Sequence, residues 1–307
     1  MRRLVTISSQ MKASNPVFIV GEARSGTSIL YRTLQKHSSF RPLETSLVET
    51  DIFSLLRRTF MFSRTYPEPL IRYMLNDEES YSAFLRSIGG VRLINLLLLP
   101  LNLVFRDRSG VLWYANLNHL VLRSYFFHAA RARGCLRLVE KTPTNTANLH
   151  RLWRTFPHGR FLYIYRHPVD VFSSYRRRAA GDPDADWAGR LTPFDFCESY
   201  RASVGRVLTW SAHRRNLLMV RYESFVRHPA TVFRDICDFL QEPFEPEAVE
   251  EPNPDLNRWW GDPHLWGEIV PSTKNWRDHI STSDVDIIQT ALADVMERLG
   301  YEPYPLA

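Results

Sequence analysis

Pro16-Val17-Phe18-Ile19-Val20-Gly21-Glu22-Ala23-Arg24-Ser25-Gly26-Thr27-Ser28 is the stretch that decides the fold. Its apolar residues predict a short buried strand, which is followed by a glycine-bounded loop and then by a helix that opens at Thr27. A loop of this kind directs backbone N–H groups, and the positive end of a helix dipole, at a bound anion. We therefore expect a phosphate-binding loop directly after the first strand.

The loop departs at one position from the pattern that binds nucleoside triphosphates. That pattern is G-x-x-x-x-G-K-[ST], and Thr27 stands where it requires a lysine. The lysine normally reaches the β- and γ-phosphates of the nucleotide. Its absence favours a phosphate-bearing ligand other than ATP or GTP.

A second apolar run, residues 160–165, predicts another buried strand, with Pro168 in the first turn of the helix that follows. Triphosphate-hydrolysing enzymes commonly place an acid here that helps to hold Mg²⁺, but this strand is followed by Arg166. An arginine offers a bidentate fork to a second phosphate rather than a ligand to a metal. The hydroxyl of Ser174, about two helical turns further on, can support the same anion.

With three further segments, these motifs resemble the sulfotransferases that use 3′-phosphoadenosine-5′-phosphosulfate. The matching segments come in the family's order and span roughly residues 16 to 277. They are the phosphosulfate loop Arg24-Ser25-Gly26-Thr27-Ser28; Glu140-Lys141-Thr142-Pro143; the R-x-P-x-D-x-x-x-S motif at Arg166, Pro168, Asp170 and Ser174; Val220-Arg221-Tyr222-Glu223; and Ser272-Thr273-Lys274-Asn275-Trp276-Arg277. The resemblance implies a P-loop-like, three-layer α/β fold with a central parallel sheet, and the phosphosulfate as co-substrate. No metal-ligand set is visible, so no metal is expected.

The resemblance also implies a role for each matched residue. Lys141 would neutralise charge on the sulfonate, and Arg24 would stabilise the departing 5′-phosphate; the alternative for Lys141 is a surface lysine at a strand end. The nucleotide-binding residues would be Arg24, Ser25, Gly26, Thr27 and Ser28 at the 5′-phosphate, Arg166, Ser174 and Tyr222 at the 3′-phosphate, and Ser272 and Lys274 in a loop across the nucleotide.

The base that takes the acceptor's proton is left open between several residues. Glu44 is preferred, because relatives resembling carbohydrate and tyrosylprotein sulfotransferases carry a catalytic glutamate shortly after the loop-helix. Glu49 is the reserve. His119 and His128 are the alternatives if the chain follows the small-molecule branch of the family.

The pattern along the chain predicts strands alternating with helices, and hence a parallel sheet with ligand loops at its carboxyl ends. We expect one domain over residues 1–307, with a helical acceptor-side insertion at about 45–134. Strands are predicted at 17–20, near 136–140, and at 160–165 and 217–221; helices are predicted at 27–36, near 145–155, and at 168–178, 193–213 and 230–240; and 246–274 is predicted to be a long loop.

Composition limits the partners and the compartment. A formal charge of +6 and a pI near 9.3 suit an anionic ligand, and the basic residues are spread along the chain, which argues against nucleic acid. Three widely spaced cysteines argue against a disulfide framework or a zinc site. Residues 1–11 contain no apolar h-region, so we expect a cytoplasmic enzyme.

Several questions stay open at the level of sequence. Residues 93–105 are strongly apolar but interrupted by Pro100, and they suit either a buried helix pair or a peripheral membrane contact. The acceptor can be a sugar hydroxyl on a glycan or small molecule, a lipid-linked sugar, a phenol or a peptide tyrosine, and the oligomeric state is not indicated. Two rival functions are a nucleotide kinase with a degenerate loop and a non-catalytic binder of 3′,5′-nucleotides.

Overall fold

The computed structural model describes residues 15–40, 78–87, 89–90, 118–132, 134–135, 137–181, 189–211, 214–251, 268–271 and 275–306. Among these residues, four parallel strands flanked by helices form one sheet in the order β2-β1-β3-β4. In β1 and β2, Val17 pairs with Val139 and Ile19 pairs with Lys141. This order places β1 between β2 and β3.

The chain divides into two compact units. The first contains residues 15–19 and the described residues between 31 and 161. Its core forms around Phe18, whose ring stacks on Phe161 with centroids 5.2 Å apart and also contacts Phe126 and Phe156. Its elements are most of β1 (Val17–Val20) and of α1 (Thr27–Lys36), then α2 (Glu78–Ser87), α3 (Asn118–Ala132), β2 (Val139–Lys141), a 3₁₀ helix (Pro143–Asn148), α4 (Leu149–Thr155) and the start of β3 (Arg160–Tyr165).

The second unit contains residues 20–30, 162–251 and 268–306. Helix boundaries here follow local chemistry: Ser281 and Asp284 form a capping box, and Gly300, at φ +69°, ends the last helix in the left-handed region. Its remaining elements are α5 (Pro168–Gly181), α6 (Pro193–Ser211), β4 (Leu217–Arg221), α7 (Tyr222–Arg227), α8 (Pro229–Leu240), α9 (Glu247–Glu250), a 3₁₀ helix (Trp276–Asp278), α10 (Thr282–Ala291) and α11 (Ala293–Leu299).

The α/β class with a central parallel sheet is confirmed. Three predicted strands and the loop-helix have the predicted bounds. The predicted strand near 136–140 is shorter and lies later, at Val139–Lys141, and the helix near 145–155 begins as a 3₁₀ helix at Pro143 because that proline opens the first turn. Within 246–274, the short helix α9 replaces the start of the expected loop.

The predicted insertion and the single domain stay predictions. Within 45–134 the structure describes only α2, residues 89–90, α3 and residue 134, and the apolar stretch 93–105 lies outside the described residues. In the part of the chain that is described, no helix is both long enough and apolar enough to cross a membrane.

Candidate active site

The loop after β1 is fastened to the end of β3. The Ser25 hydroxyl donates to the carbonyl of Glu22 at 2.6 Å and lies 3.2 Å from the carbonyl of Ile164. A Cβ placed on Gly21 would lie 2.4 Å from that same Ile164 oxygen. The backbones therefore approach too closely for any side chain at this position, which explains the first glycine of the motif.

Arg24 connects the loop to the helix after β3. Its backbone is in the left-handed region, at φ 69°, which a non-glycine residue rarely adopts. Such a conformation costs roughly 1–3 kcal/mol and is concentrated at functional sites. Its Nε donates to the Ser174 hydroxyl at 3.1 Å, so the structure brings together two residues that the sequence assigned to different phosphates.

Arg166 directly follows β3 and packs on Tyr222. The guanidinium lies over the Tyr222 ring, 4.4 Å from its centroid, and Nη2 lies 3.8 Å from Asp170 Oδ2. The Arg166 carbonyl accepts the Tyr200 hydroxyl at 2.6 Å, which fixes the backbone. Its Nε is buried and has no hydrogen-bond partner among the described residues. A buried donor without a partner costs free energy, which a hydrogen bond to an anion would recover.

Tyr222 also contacts the loop. Gly26 has φ +104°, and a Cβ there would lie 2.4 Å from Cδ2 of the Tyr222 ring. The ring therefore touches the loop on one side and carries the Arg166 guanidinium. Three segments that are far apart in sequence meet through this one side chain.

The arrangement offers two anchoring points for anions. One is the loop itself, where backbone N–H groups precede α1 and Arg24 adds a charge. The other is the fork of Arg166, where a phosphate can be bound in bidentate fashion. A ligand with two separate phosphate groups suits this site better than one with a single group.

A carboxyl group inside the loop was not singled out by the sequence analysis. Glu22 accepts the Tyr175 hydroxyl at 2.9 Å. Burial raises the pKa of Glu22, and the hydrogen bond from Tyr175 opposes that rise. Burial, followed by the charge of Glu22, in turn raises the pKa of Tyr175, so its hydroxyl remains a donor. Position 22 is a variable place in the loop motif, so no pattern marked it.

Two more carboxylates lie after the end of β3, Asp170 at Arg166 and Glu223 at the backbone N–H of His167, and both accept hydroxyls from the C-terminal residues. Tyr304 donates to Asp170 Oδ2 at 3.2 Å, and Tyr301 donates to Glu223 Oε2 at 2.7 Å. Burial raises the pKa of Asp170, while the charge of Arg166 opposes the rise. The sequence analysis missed both tyrosines, because nothing near them in the chain indicates contacts with residues 134 and 78 positions earlier.

In the first unit, the segment at the end of β2 is closely packed. Lys141 is 2% exposed, which argues against the surface-lysine alternative. Glu140, 1% exposed, accepts the Thr142 hydroxyl at 2.6 Å and the Asn145 side-chain amide. The Glu140 carboxylate therefore stabilises the turn that follows Lys141.

The structure covers only some of the residues predicted for the site. Glu44, Glu49, Ser272 and Lys274 lie outside the described residues. The alternative bases His119 and His128 both lie on α3. Burial, followed by the charges of neighbouring arginines, lowers the pKa of each. Within the described residues, no group of three or more His, Cys, Asp or Glu side chains could hold a metal ion.

Comparisons with known proteins agree with this geometry. Residues 16–246 match the family model described as "Sulfotransferase family". No curated protein matches the chain.

Among solved structures, the chain is similar to the sulfotransferase domain of the Synechococcus PCC 7002 olefin synthase, at 21% identity and a TM-score of 0.55, over 95% of this chain and 97% of that one. It is also similar to the sulfotransferase domain of the curacin biosynthetic pathway, at 18% identity and a TM-score of 0.54, over 94% and 99% of the two chains. It is similar as well to the sulfotransferase STF9 from Mycobacterium avium, at 14% identity and a TM-score of 0.51, over 97% of this chain and 81% of that one. These likenesses show a shared fold, and the family model covers most of the sequence. The chain belongs to the sulfotransferase family.

Proposed function

We propose that this sulfotransferase moves a sulfuryl group from 3′-phosphoadenosine-5′-phosphosulfate to a hydroxyl group of a small-molecule, glycan or lipid-linked acceptor. The observation that carries the donor assignment is the contact of Tyr222 with both Gly26 and Arg166. That contact joins a loop suited to a 5′-phosphate to an arginine suited to a 3′-phosphate. The bond from Arg24 to Ser174 supports the same assignment.

The described residues fit such a nucleotide. The Ile164 carbonyl at Gly21 and the Tyr222 ring at Gly26 leave no room for a Cβ, so the loop keeps a compact form suited to gathering N–H groups around an anion. The unpartnered Nε of Arg166 adds a donor at the second anchoring point. The donor molecule supplies the activated sulfuryl group; the protein's residues bind and orient it and exclude water.

The remaining roles follow from the charges that must be balanced during transfer. Sulfuryl transfer, like phosphoryl transfer, depends more on positioning and charge stabilisation than on covalent catalysis by the protein. Arg24, Thr27 and Ser28 are suited to the departing 5′-phosphate, and Lys141 to the charge on the sulfonate. Ser272 and Lys274 are proposed to fold over the nucleotide, and Glu44 to accept the acceptor's proton, with Glu49 or a histidine as the alternative.

Calorimetry with 3′-phosphoadenosine-5′-phosphate and adenosine 5′-phosphate tests the donor. The bisphosphate should bind more tightly, and Arg166→Ala should cost about 2–4 kcal/mol in its binding, since a charge-assisted contact is lost. The affinity for adenosine 5′-phosphate should change little in this variant, because that nucleotide has no 3′-phosphate for Arg166 to bind. Equal affinity of the wild-type protein for the two nucleotides would sink the assignment.

Transfer of radioactive sulfate from the labelled donor to candidate acceptors tests the reaction. Turnover should survive an excess of EDTA, because the proposed chemistry uses charge from Lys141 and the loop instead of a metal. The label must be on the sulfuryl group, since sulfate and phosphate additions have nearly equal masses. Metal-dependent transfer from labelled ATP would favour a kinase instead.

A further inference from the structure

The C-terminal tail, Tyr301–Leu306, packs onto the residues that follow β3 and lies beyond the region matched by the family model. It is held in place by two side chains. Gln289 accepts the backbone N–H of Tyr304 and donates to its carbonyl at 3.2 Å, and Arg277 donates to the carbonyl of Pro305 at 3.0 Å. The tail therefore has a fixed conformation rather than a loose surface contact.

Tyr304 reaches the ion pair of Arg166 from this tail. Its ring stacks on His167, with centroids 4.0 Å apart and planes 17° apart. Its hydroxyl donates to Oδ2 of Asp170, at 3.2 Å, which is the same oxygen that lies 3.8 Å from Arg166 Nη2. Asp170 is thus shared between a neutral donor and the arginine, and its separation from the arginine exceeds the 2.7–2.9 Å of a direct charge-assisted hydrogen bond.

Tyr301 makes an equivalent contact with the other carboxylate. Its hydroxyl donates to Oε2 of Glu223, whose Oε1 accepts the backbone N–H of His167 at 2.9 Å. The guanidinium of Arg221 lies over the Tyr301 ring, 4.3 Å from its centroid. Glu223 is thereby fixed immediately after Tyr222, on which Arg166 packs. Asp170 and Glu223 therefore each accept a hydrogen bond from one phenol of the tail.

The phenols remain donors under ordinary conditions. Burial, followed by the charge of Asp170, raises the pKa of Tyr304. Burial, followed by the charge of Glu223, raises the pKa of Tyr301. A phenol whose pKa is raised keeps its proton more firmly, so each hydroxyl remains a donor to its carboxylate.

We propose that Tyr304 is a positioning residue, which holds Asp170 away from Arg166 and so keeps the guanidinium available to the nucleotide's 3′-phosphate. Without the hydroxyl, Oδ2 of Asp170 would be left with Arg166 as its strongest donor, and the two would close into a direct pair. The phosphate would then have to displace a carboxylate before it could bind. This inference rests on the proposed function, in which Arg166 binds the 3′-phosphate.

Tyr304→Phe tests it, because the phenylalanine keeps the stack on His167 and removes only the hydroxyl. The affinity for 3′-phosphoadenosine-5′-phosphate should fall about 10-fold, because the phosphate would have to displace Asp170 from Arg166 before binding. The affinity for adenosine 5′-phosphate should change less than about 2-fold, since this nucleotide has no 3′-phosphate. The KM for the phosphosulfate donor should rise with kcat little changed.

Two further variants separate positioning from a structural role. Tyr163→Phe removes another buried hydroxyl of the second unit, one bonded to Ser203 at 3.2 Å, and should leave the ratio of the two affinities unchanged. In an Asp170→Asn background, Tyr304→Phe should have no further effect on that ratio, because the asparagine cannot form the competing ion pair.

The outcomes distinguish this inference from the function on which it rests. If the wild-type protein binds the two nucleotides equally, the 3′-phosphate assignment fails. If it prefers the bisphosphate and Tyr304→Phe keeps the full preference, only the positioning role of Tyr304 fails. A loss of both affinities in parallel also counts against positioning, since it indicates a general loss of structure.

Discussion

The ends of strands β2 and β3 each present a basic residue, but the two are supported in opposite ways. At β2, the turn that follows Lys141 is held within one continuous stretch, in which the Glu140 carboxylate accepts hydrogen bonds from Thr142 and Asn145. At β3, Arg166 is surrounded by residues from α5, α6 and α7, with the C-terminal tail behind them. The turn after Lys141 is held by local contacts, whereas the contacts of Arg166 exist only when distant parts of the chain have folded together.

This difference determines which substitutions should affect each strand end. Changes within residues 140–146 should act directly on the turn after β2, because donor and acceptor are at most five positions apart. Arg166 should be affected by substitutions far from it in sequence, because Tyr304 contacts Asp170 across 134 positions of the chain. The predictions below test this contrast.

The largest effect is expected for Asn145→Asp, which is nearly isosteric. Asn145 is 1% exposed and donates its amide to the Glu140 carboxylate, so the variant would bury two carboxylates against each other. We expect a loss of about 3–5 kcal/mol in the free energy of unfolding, as for a buried charge left without its partner. Urea denaturation near neutral pH measures it.

Asn148→Asp is the matched control for that prediction. Asn148 is half-buried, precedes α4 and accepts from Arg151 at 3.3 Å, so a carboxylate there meets a cation and a helix N-terminus. Its effect should stay within about 0.5 kcal/mol. The loss in Asn145→Asp should also shrink at low pH, where two carboxylates that share a site retain a proton. Equal effects of the two substitutions would contradict the local network.

Lys141→Ala should distinguish the proposed role of Lys141 from that of Arg166. Its proposed partner is the sulfonate, which the product nucleotide lacks, so turnover should fall about 10²–10³-fold, as when one charge stabiliser is lost. Affinity for 3′-phosphoadenosine-5′-phosphate should change little. Arg166→Ala is the comparison, since it should weaken the binding of that nucleotide. If Lys141→Ala weakens product binding as strongly as Arg166→Ala does, the two residues do not have the separate roles proposed.

Gly26→Ala should disturb the contact of the loop with Tyr222, on which Arg166 packs. The alanine would need φ +104° and a Cβ 2.4 Å from the Tyr222 ring, so we expect a loss of roughly 1–3 kcal/mol in stability and weaker binding of the bisphosphate nucleotide. Gly205→Ala is the control: its Cβ meets nothing within 4 Å, and it lies inside α6. That variant should gain about 0.5–1 kcal/mol. A stable Gly26→Ala with unchanged nucleotide affinity would show that Tyr222 can move freely.

The same contrast explains how far the sequence could be interpreted. The strands at 160–165 and 217–221 and the loop-helix were predicted with correct bounds, because apolar runs, prolines and glycines are local signals. The α/β class followed from their alternation. Helices α10 and α11 and the tail were not predicted, and the roles of Tyr301 and Tyr304 could not have been, because tertiary contacts alone bring them to Asp170 and Glu223. The predicted site residues remain proposals: the structure brings Arg24 to Ser174 and Arg166 to Tyr222, whereas Glu44, Ser272 and Lys274 lie outside the part of the chain that it describes.

The smallest expected effect concerns Glu22, the carboxyl group within the loop. Burial raises its pKa above the ordinary value of 4.5, so the folded protein keeps this proton to a higher pH than the unfolded chain does. As pH rises from about 4.5 through the folded-state pKa, the unfolded chain is the first to lose its proton, and stability falls. Glu22→Gln cannot titrate, so its stability relative to wild type should increase across that window and then level off. Tyr175→Phe supplies the second comparison: the Tyr175 hydroxyl lowers the pKa of Glu22, so its removal should raise that pKa further and extend the window upward. Denaturation curves of the three proteins at several pH values measure both effects. If the difference between Glu22→Gln and wild type does not vary with pH, Glu22 stays as solvated in the folded loop as in the unfolded chain, and it contributes nothing to the pH dependence of stability.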